Sequence, residues 1–163
     1  MQNIIQQHNK KILTANDNLS DAGCNCRQGT SNCPLAGKCL ADDVVYQATI
    51  ATKDDEKIYI GSCATTFKLR YNDHTSSFRN IQYKNKTELS SHIWQLKEQN
   101  LDYNITWKII TRAKSYKSGQ KNCNLCLTEK HYILKANDKK IVNKLELMTK
   151  CLHKFKFKMK TLL

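Results

Sequence analysis

The chain has no apolar run long enough to span a bilayer, and its N-terminus has no signal-peptide core. Both absences point away from a membrane-inserted or secreted protein, and so to an intracellular one. Acidic side chains are also scarce. The 14 Asp and Glu face 27 Lys and Arg, a net charge of +13 over 163 residues. Such an excess suits a polyanionic partner, nucleic acid first and an anionic membrane surface second. At this length the chain can bury one modest core plus a small satellite. Cysteine, by contrast, is abundant, with 8 residues. In the absence of a secretory signal these thiols argue for metal ligation over disulfides.

Residues 1–22 are polar and Gln/Asn-rich, with apolar character only around Ile4-Ile5, and read as a mobile arm. Cys24, Cys26, Cys33 and Cys39 follow, among Gly23, Gly29, Pro34 and Gly37. A loop of this kind cannot bury a core of its own. A tetrahedral Zn²⁺ bound by the four thiolates would hold it together; the alternative is reduced, unligated cysteine. Residues 23–41 are thus expected to form a knuckle packed against the sheet edge.

Val44–Thr52 and Ile58–Cys63 are β-branched, apolar runs separated by the wholly polar Lys53–Glu56. This pattern predicts an antiparallel hairpin. If Thr52 pairs with Lys57, Tyr46 falls opposite Cys63, and Tyr46 and Tyr59 share a face. Beyond Gly61 the pattern turns helical, with Phe67, Tyr71, His74 and Phe78 on one stripe and Arg70 at its edge, one turn before His74. A second helix is expected over Lys86–Asn100, with Thr87 as N-cap and Leu89, Ile93, Trp94 and Leu96 as its apolar face. Tyr103–Ile110 alternates like a strand with one buried face and completes a three-stranded antiparallel sheet. Arg112–Lys121 is a basic loop.

The helical pattern over Asn122–Asn137 places Glu129 within an apolar stripe of Leu125, Tyr132, Ile133 and Ala136. A carboxylate on a core face is either paired with a buried Arg or Lys or bound to a cation. Cys123 and Cys126 open this helix. With Cys151 and His153 they supply the inventory of a second structural zinc site. Lys150 to Lys160 alternates lysines with Phe155, Phe157 and Met159, as an amphipathic edge strand or a basic arm along a phosphate backbone would; residues 154–163 form the basic tail. The expected fold class is α+β, a small three-stranded antiparallel sheet flanked by helices over 42–153.

These residues resemble the GIY-YIG nuclease family. Tyr59-Ile60-Gly61 matches its second signature word, and Val44-Val45-Tyr46 keeps the tyrosine of the first without its glycine. Arg70 and His74 match the arginine and histidine of the helix that follows. The cysteine knuckle ending Cys33-Pro-Leu-Ala-Gly-Lys-Cys39, the stretch Glu88-Leu-Ser-Ser-His-Ile-Trp94, the Cys123/Cys126 pair, and Asn143-Lys-Leu-Glu leading to Cys151-Leu-His153 look like the endonuclease domain of Penelope-like retroelements. The resemblance covers roughly residues 24–160. It implies a metal-dependent nuclease that nicks DNA, in the nucleus, so that a linked reverse transcriptase can prime from the freed 3′-OH.

By that resemblance Glu129 holds one Mg²⁺ or Mn²⁺ and Asn143 positions the site. Tyr59 is the general base, its pKa lowered by neighbouring cations, while Tyr46 and His74 orient water and relay the proton. Arg70 binds the phosphate through its planar fork. Lys68 is a further phosphate-facing candidate, or a solvated helix residue. The competing reading is a catalytically inactive, zinc-stapled remnant that binds DNA or RNA through its charge and cysteines.

Overall fold

The computed structural model describes residues 23–27, 31, 33–120, 122–136 and 140–143. The arm over 1–22, the tail over 154–163, and Cys151 and His153 lie outside the described residues.

Strands β1 (Val44–Ala51) and β2 (Glu56–Cys63) form the expected hairpin. Its register differs from the expected one by two residues: Tyr46 lies opposite Gly61, and Val44 opposite Cys63. The cause is Thr52, which joins the turn instead of the strand. Its N–H and hydroxyl both donate to the Asp55 carbonyl (2.9 and 3.0 Å), and the Asp55 N–H donates back to the hydroxyl (3.1 Å). Such local side-chain bonding is what suits threonine to turns. A one-residue slip would flip every side chain to the other face, whereas a slip of two preserves both faces. Tyr46 and Tyr59 therefore remain together, with ring centroids 6.5 Å apart.

Strand β3 (Asn104–Arg112) pairs antiparallel with β1, giving the order β2-β1-β3 and leaving β2 on an edge. Helix α1 (Phe67–Arg79) leads through a short 3-10 turn (Ile81–Tyr83) to helix α2 (Glu88–Glu98). The Thr87 hydroxyl caps α2 by accepting from the Ser90 N–H (3.0 Å). Phe67, His74 and Phe78 of α1, with Leu89, Ile93 and Leu96 of α2, bury against Val44, Tyr46, Ala48 and Ile50 of β1. Full burial of such side chains stabilises by about 1.5–3 kcal/mol each. Between the helices the Ser77 hydroxyl donates to the His74 carbonyl (2.7 Å) and meets the Ser90 hydroxyl (2.8 Å).

Helix α3 (Asn124–Lys135) covers the opposite sheet face, where Leu125, Cys123, Val45 and Ile60 form a second buried cluster. Residues 140–142 then run along the open edge of β2, bridging Ile141 to Ile58 in parallel. The Ile58 N–H donates to the Lys140 carbonyl (2.7 Å), and the Val142 N–H donates to the Ile58 carbonyl (2.8 Å). Among the described residues no helix is long and apolar enough to cross a membrane.

Candidate active site and metal centre

Helix α1 and the hairpin bring four of the predicted site residues together. The Arg70 Nε–H donates to the Tyr46 phenol oxygen at 3.0 Å, and that oxygen lies 2.8 Å from Nε2 of His74. The Tyr59 ring stands edge-on to His74, centroids 5.8 Å apart, and its phenol also bonds to Arg70. Tyr46 and His74 are fully buried. Burial, with the nearby charges of Arg70 and Lys86, pushes His74 down to about 3. The imidazole is therefore neutral at physiological pH. With the ring proton on Nδ1, Tyr46 accepts from Arg70 and donates to Nε2, so the three groups form one chain.

The glycine of Tyr59-Ile60-Gly61 has a steric reason. A Cβ at Gly61 would stand 2.5 Å from the Tyr46 oxygen, 2.6 Å from its Cζ and 2.9 Å from Cε1 of Tyr59. The phenol of Tyr46 thus lies directly over the glycine, and the site closes only because position 61 has no side chain.

The protein groups around Tyr59 do not by themselves lower its pKa. Burial raises its pKa, as does the Glu129 charge, and Arg70 only partly offsets them. Tyr46 is likewise pushed well up by burial. Both phenols are protonated at neutral pH when these protein groups alone act on them.

Glu129 approaches from α3, on the other side of the sheet, around the β2 edge. It accepts a hydrogen bond from the Ser62 hydroxyl (2.8 Å). Burial raises its pKa, while that hydroxyl, the charge of Arg70, the Ser62 amide and the charge of Lys130 favour its ionised form. Glu129 and Tyr59 are close enough for their charges to act on each other. Ser62 is a partner the motifs did not single out. Its signal was a hydroxyl that follows Ile58 and Ile60 on the face they share with Glu129.

Asn143 works through the backbone of β2. Its Oδ1 accepts from the Ile60 N–H (2.8 Å) and its Nδ2 donates to the Ile60 carbonyl (2.7 Å). A side-chain amide here imitates a paired strand and fixes the central residue of the Tyr-Ile-Gly word. The Lys68 ammonium donates, at the surface, to the carbonyl (3.1 Å) and Oδ1 (2.7 Å) of Asn25. Cys63 is buried, which pushes its thiol up to about 12.

The four N-terminal cysteines converge. Their sulfurs all lie within 4.8 Å of one another. Cys39 Sγ is 3.6 Å from Cys24 Sγ and 3.7 Å from Cys26 Sγ. Tetrahedral zinc at a Zn–S distance of about 2.3 Å requires sulfurs about 3.8 Å apart. The four thiols therefore fit a metal such as zinc. At Cys33 burial opposes ionisation, but N–H groups of Leu35 and Gly37 and the thiols of Cys24 and Cys39 bring it down to about 7. Gly37, at φ 90°, makes the turn that aims these amides at the sulfur. Cys39 is pushed up to about 12, by burial first and then by hydrogen bonds with the other three thiols. The cluster sits on the start of α1, where the Phe67 and Lys68 amides donate to the carbonyls of Ala41 and Cys39, each at 2.8 Å. Cys123 is buried and Cys126 half-buried at the start of α3; their expected partners Cys151 and His153 lie outside the described residues.

Compared with family models, with curated proteins and with solved structures, the chain matches none.

Proposed function

We propose that the protein is a metal-dependent DNA endonuclease of the GIY-YIG type, related to the endonuclease domain of Penelope-like retroelements and working beside a reverse transcriptase in the nucleus. The observation that carries this reading is the chain Arg70–Tyr46–His74, bonded at 3.0 and 2.8 Å beneath Tyr59. A core could be filled more cheaply by aliphatic side chains than by a guanidinium and an imidazole.

In this reading Arg70, whose Nε engages Tyr46 and which also meets the Tyr59 phenol, turns its remaining donors to a scissile phosphate. Tyr46 fixes Arg70 in place, and neutral His74 accepts the Tyr46 hydroxyl in a hydrogen bond, so that the pair orients the phenol oxygen and the water beside it without either group changing charge. Tyr59, on which the charges of Arg70 and Glu129 both act, is the group that accepts a proton from water. Glu129 suits Mg²⁺ or Mn²⁺: these ions are held by one or two carboxylates, with waters and phosphate oxygens completing the shell. When bound, such an ion supplies the extra positive charge that favours the Tyr59 phenolate and the leaving oxygen. The excess of basic residues supplies affinity for the phosphate backbone.

The test is nicking of supercoiled plasmid with Mg²⁺, paired with a salt titration of DNA binding. Glu129→Ala should abolish nicking and leave affinity nearly intact, because it removes no phosphate contact. Arg70→Ala should weaken both, cleavage far more. A Glu129→Ala protein that nicks like wild type would refute the nuclease mechanism, and the zinc-stapled binding remnant would take its place.

A further inference from the structure

The 3-10 turn after α1 carries large apolar side chains that the fold does not use. Ile81 is 65% and Tyr83 45% exposed. Of the six large exposed hydrophobic residues among the described residues, these two fall within one three-residue turn. The turn is firmly built. The Asn80 side chain accepts from the Gln82 N–H, and the Tyr83, Lys84 and Lys86 amides donate to the carbonyls of Asn80, Ile81 and Tyr83, each at 3.0 Å. A surface turn of this kind is satisfied by any polar residue at 81 and 83, so folding alone gives no reason for Ile and Tyr.

The surroundings say what would cover them. Arg79 precedes the turn and Lys84 and Lys86 follow it; Lys86 Nζ lies 5.4 Å from the centre of the Tyr83 ring. Glu98 neutralises Lys84, which leaves Arg79 and Lys86 as the charges flanking the apolar tip. The turn is also near the catalytic chain. Helix α1 advances about 7.5 Å between His74 and Arg79, and the charge of Lys86 is felt at His74. A second copy of a chain with net charge +13 is a poor occupant. Apolar tips flanked by cations suit a nucleic acid, whose bases offer stacking faces and whose phosphates take the cations.

We propose that the Arg79–Lys86 turn is a DNA-distorting contact, in which Ile81 and Tyr83 wedge against or stack on bases a few steps along the duplex from the phosphate held by Arg70, about 13.5 Å of helix rise away, while Arg79 and Lys86 hold the phosphates on either side of the wedge. The choice of DNA rests on the nuclease reading above. The contact would favour duplexes that unstack easily, such as a mismatch or a nick.

The experiment uses the full chain and a short duplex with one mismatch, carrying 2-aminopurine beside it. Binding of wild type should brighten the 2-aminopurine as its neighbour unstacks. Ile81→Ala/Tyr83→Ala should lose most of that signal and bind about ten-fold more weakly. Its affinity should keep the wild-type salt slope, because no cation has been removed. Leu134→Ala, an exposed apolar residue on α3, should match wild type in all three readouts. The turn is exposed, so the double variant should melt with wild type, which separates lost contact from lost fold. Wild-type binding and brightening by the double variant would overturn the proposal. So would a change in its sedimentation with DNA binding unaltered, since the turn would then be a protein interface. If wild type binds and unstacks DNA without nicking it, and the double variant does neither, the nuclease reading falls and the contact stands. If wild type does not bind DNA, both fall.

Discussion

Gly61→Ala tests the geometry of the site without touching any group that does chemistry. The added Cβ would stand 2.5 and 2.6 Å from the oxygen and Cζ of Tyr46, well inside contact distance. Tyr46 has no easy retreat. It is fully buried, its oxygen is tied to Arg70 and His74, and its ring meets Phe67 edge-on at 5.2 Å and Trp107 at 5.9 Å. The strand must bend or Tyr46 must leave its partners. Overpacking of this kind costs about 1–3 kcal/mol. Losing a hydrogen bond to a charged group adds about 1.5–3 kcal/mol. The expected loss is about 3–5 kcal/mol, a large share of the roughly 5–15 kcal/mol of an ordinary domain. Urea unfolding of the zinc-loaded protein measures it as a lowered midpoint at unchanged slope. The decisive comparison is a double-mutant cycle with Tyr46→Leu, whose shorter side chain does not reach the position of the phenol. In that background Gly61→Ala should cost under about 1 kcal/mol, because the atoms it strikes are gone. Equal losses in both backgrounds, or a loss below about 1 kcal/mol in wild type, would refute the close approach of Tyr46 to Gly61.

Metal analysis should find zinc in protein purified without chelator, and Cys33→Ser should lower the zinc content; content unaffected by the substitution would count against the four-thiol site. Asn143→Leu removes two bonds to Ile60 and should destabilise by about 1–3 kcal/mol in the same urea assay; a neutral outcome would mean the β2 edge does not depend on it. His74 has a folded pKa of about 3 against an ordinary 6.5, so the unfolded chain takes up the proton first as pH falls. Its contribution is full above about pH 6.5 and is lost progressively as pH falls toward 3, amounting to about 2 kcal/mol by pH 5. Glu129, whose pKa is raised by burial, acts in the opposite sense, and acid also frees thiols from metal. Wild type is therefore compared with His74→Gln, which should lose about 2 kcal/mol less between pH 7 and 5; parallel curves would show that His74 is not buried neutral.

Much of the fold could be read from local pattern. The β-branched runs around a polar turn became β1 and β2, and the stripe of Phe67, His74 and Phe78 became the buried face of α1. Thr87 was legible as a cap because a hydroxyl before a helical stripe has a strong local reason to be there. Glu129 stood out as a carboxylate among apolar neighbours, and it is indeed held at the inner side of α3 by Ser62. The details that escaped were those decided by a single side chain or by distant sequence. One threonine hydroxyl moved the hairpin register by two. No local signal says that β3 adds beside β1 and leaves β2 open. The bond from Asn143 to Ile60 joins residues 83 positions apart. The Tyr59 pKa depends on how deeply the finished core encloses it, which no motif records. Lys68 could be read either as phosphate-facing or as a solvated helix residue, and no local pattern pairs it with Asn25, 43 positions away.

The position of β2 explains how residues from both faces of a sheet can serve one site. Tyr59 and Gly61 point to the face covered by α1 and α2, whereas Ile60 and Ser62 point to the face covered by α3. Over a central strand these two sets would be separated by the full thickness of the sheet. At an edge strand they are separated only by the strand itself, and α3 packs chiefly on β2. The outward backbone of β2 needs partners in any case, since an open edge invites pairing with another chain. Those partners are Lys140 and Val142 at Ile58 and the Asn143 amide at Ile60, and further along Glu129 accepts from the Ser62 hydroxyl and lies near its amide. The last two are side chains in place of a continuing strand. A carboxylate used this way keeps acceptor positions to spare, because two oxygens offer about four lone-pair sites and the Ser62 hydroxyl and amide take at most two. Covering the edge and holding a cation therefore do not compete. The edge that folding had to close is where a carboxylate from one face comes within electrostatic reach of Tyr59 and Arg70 on the other.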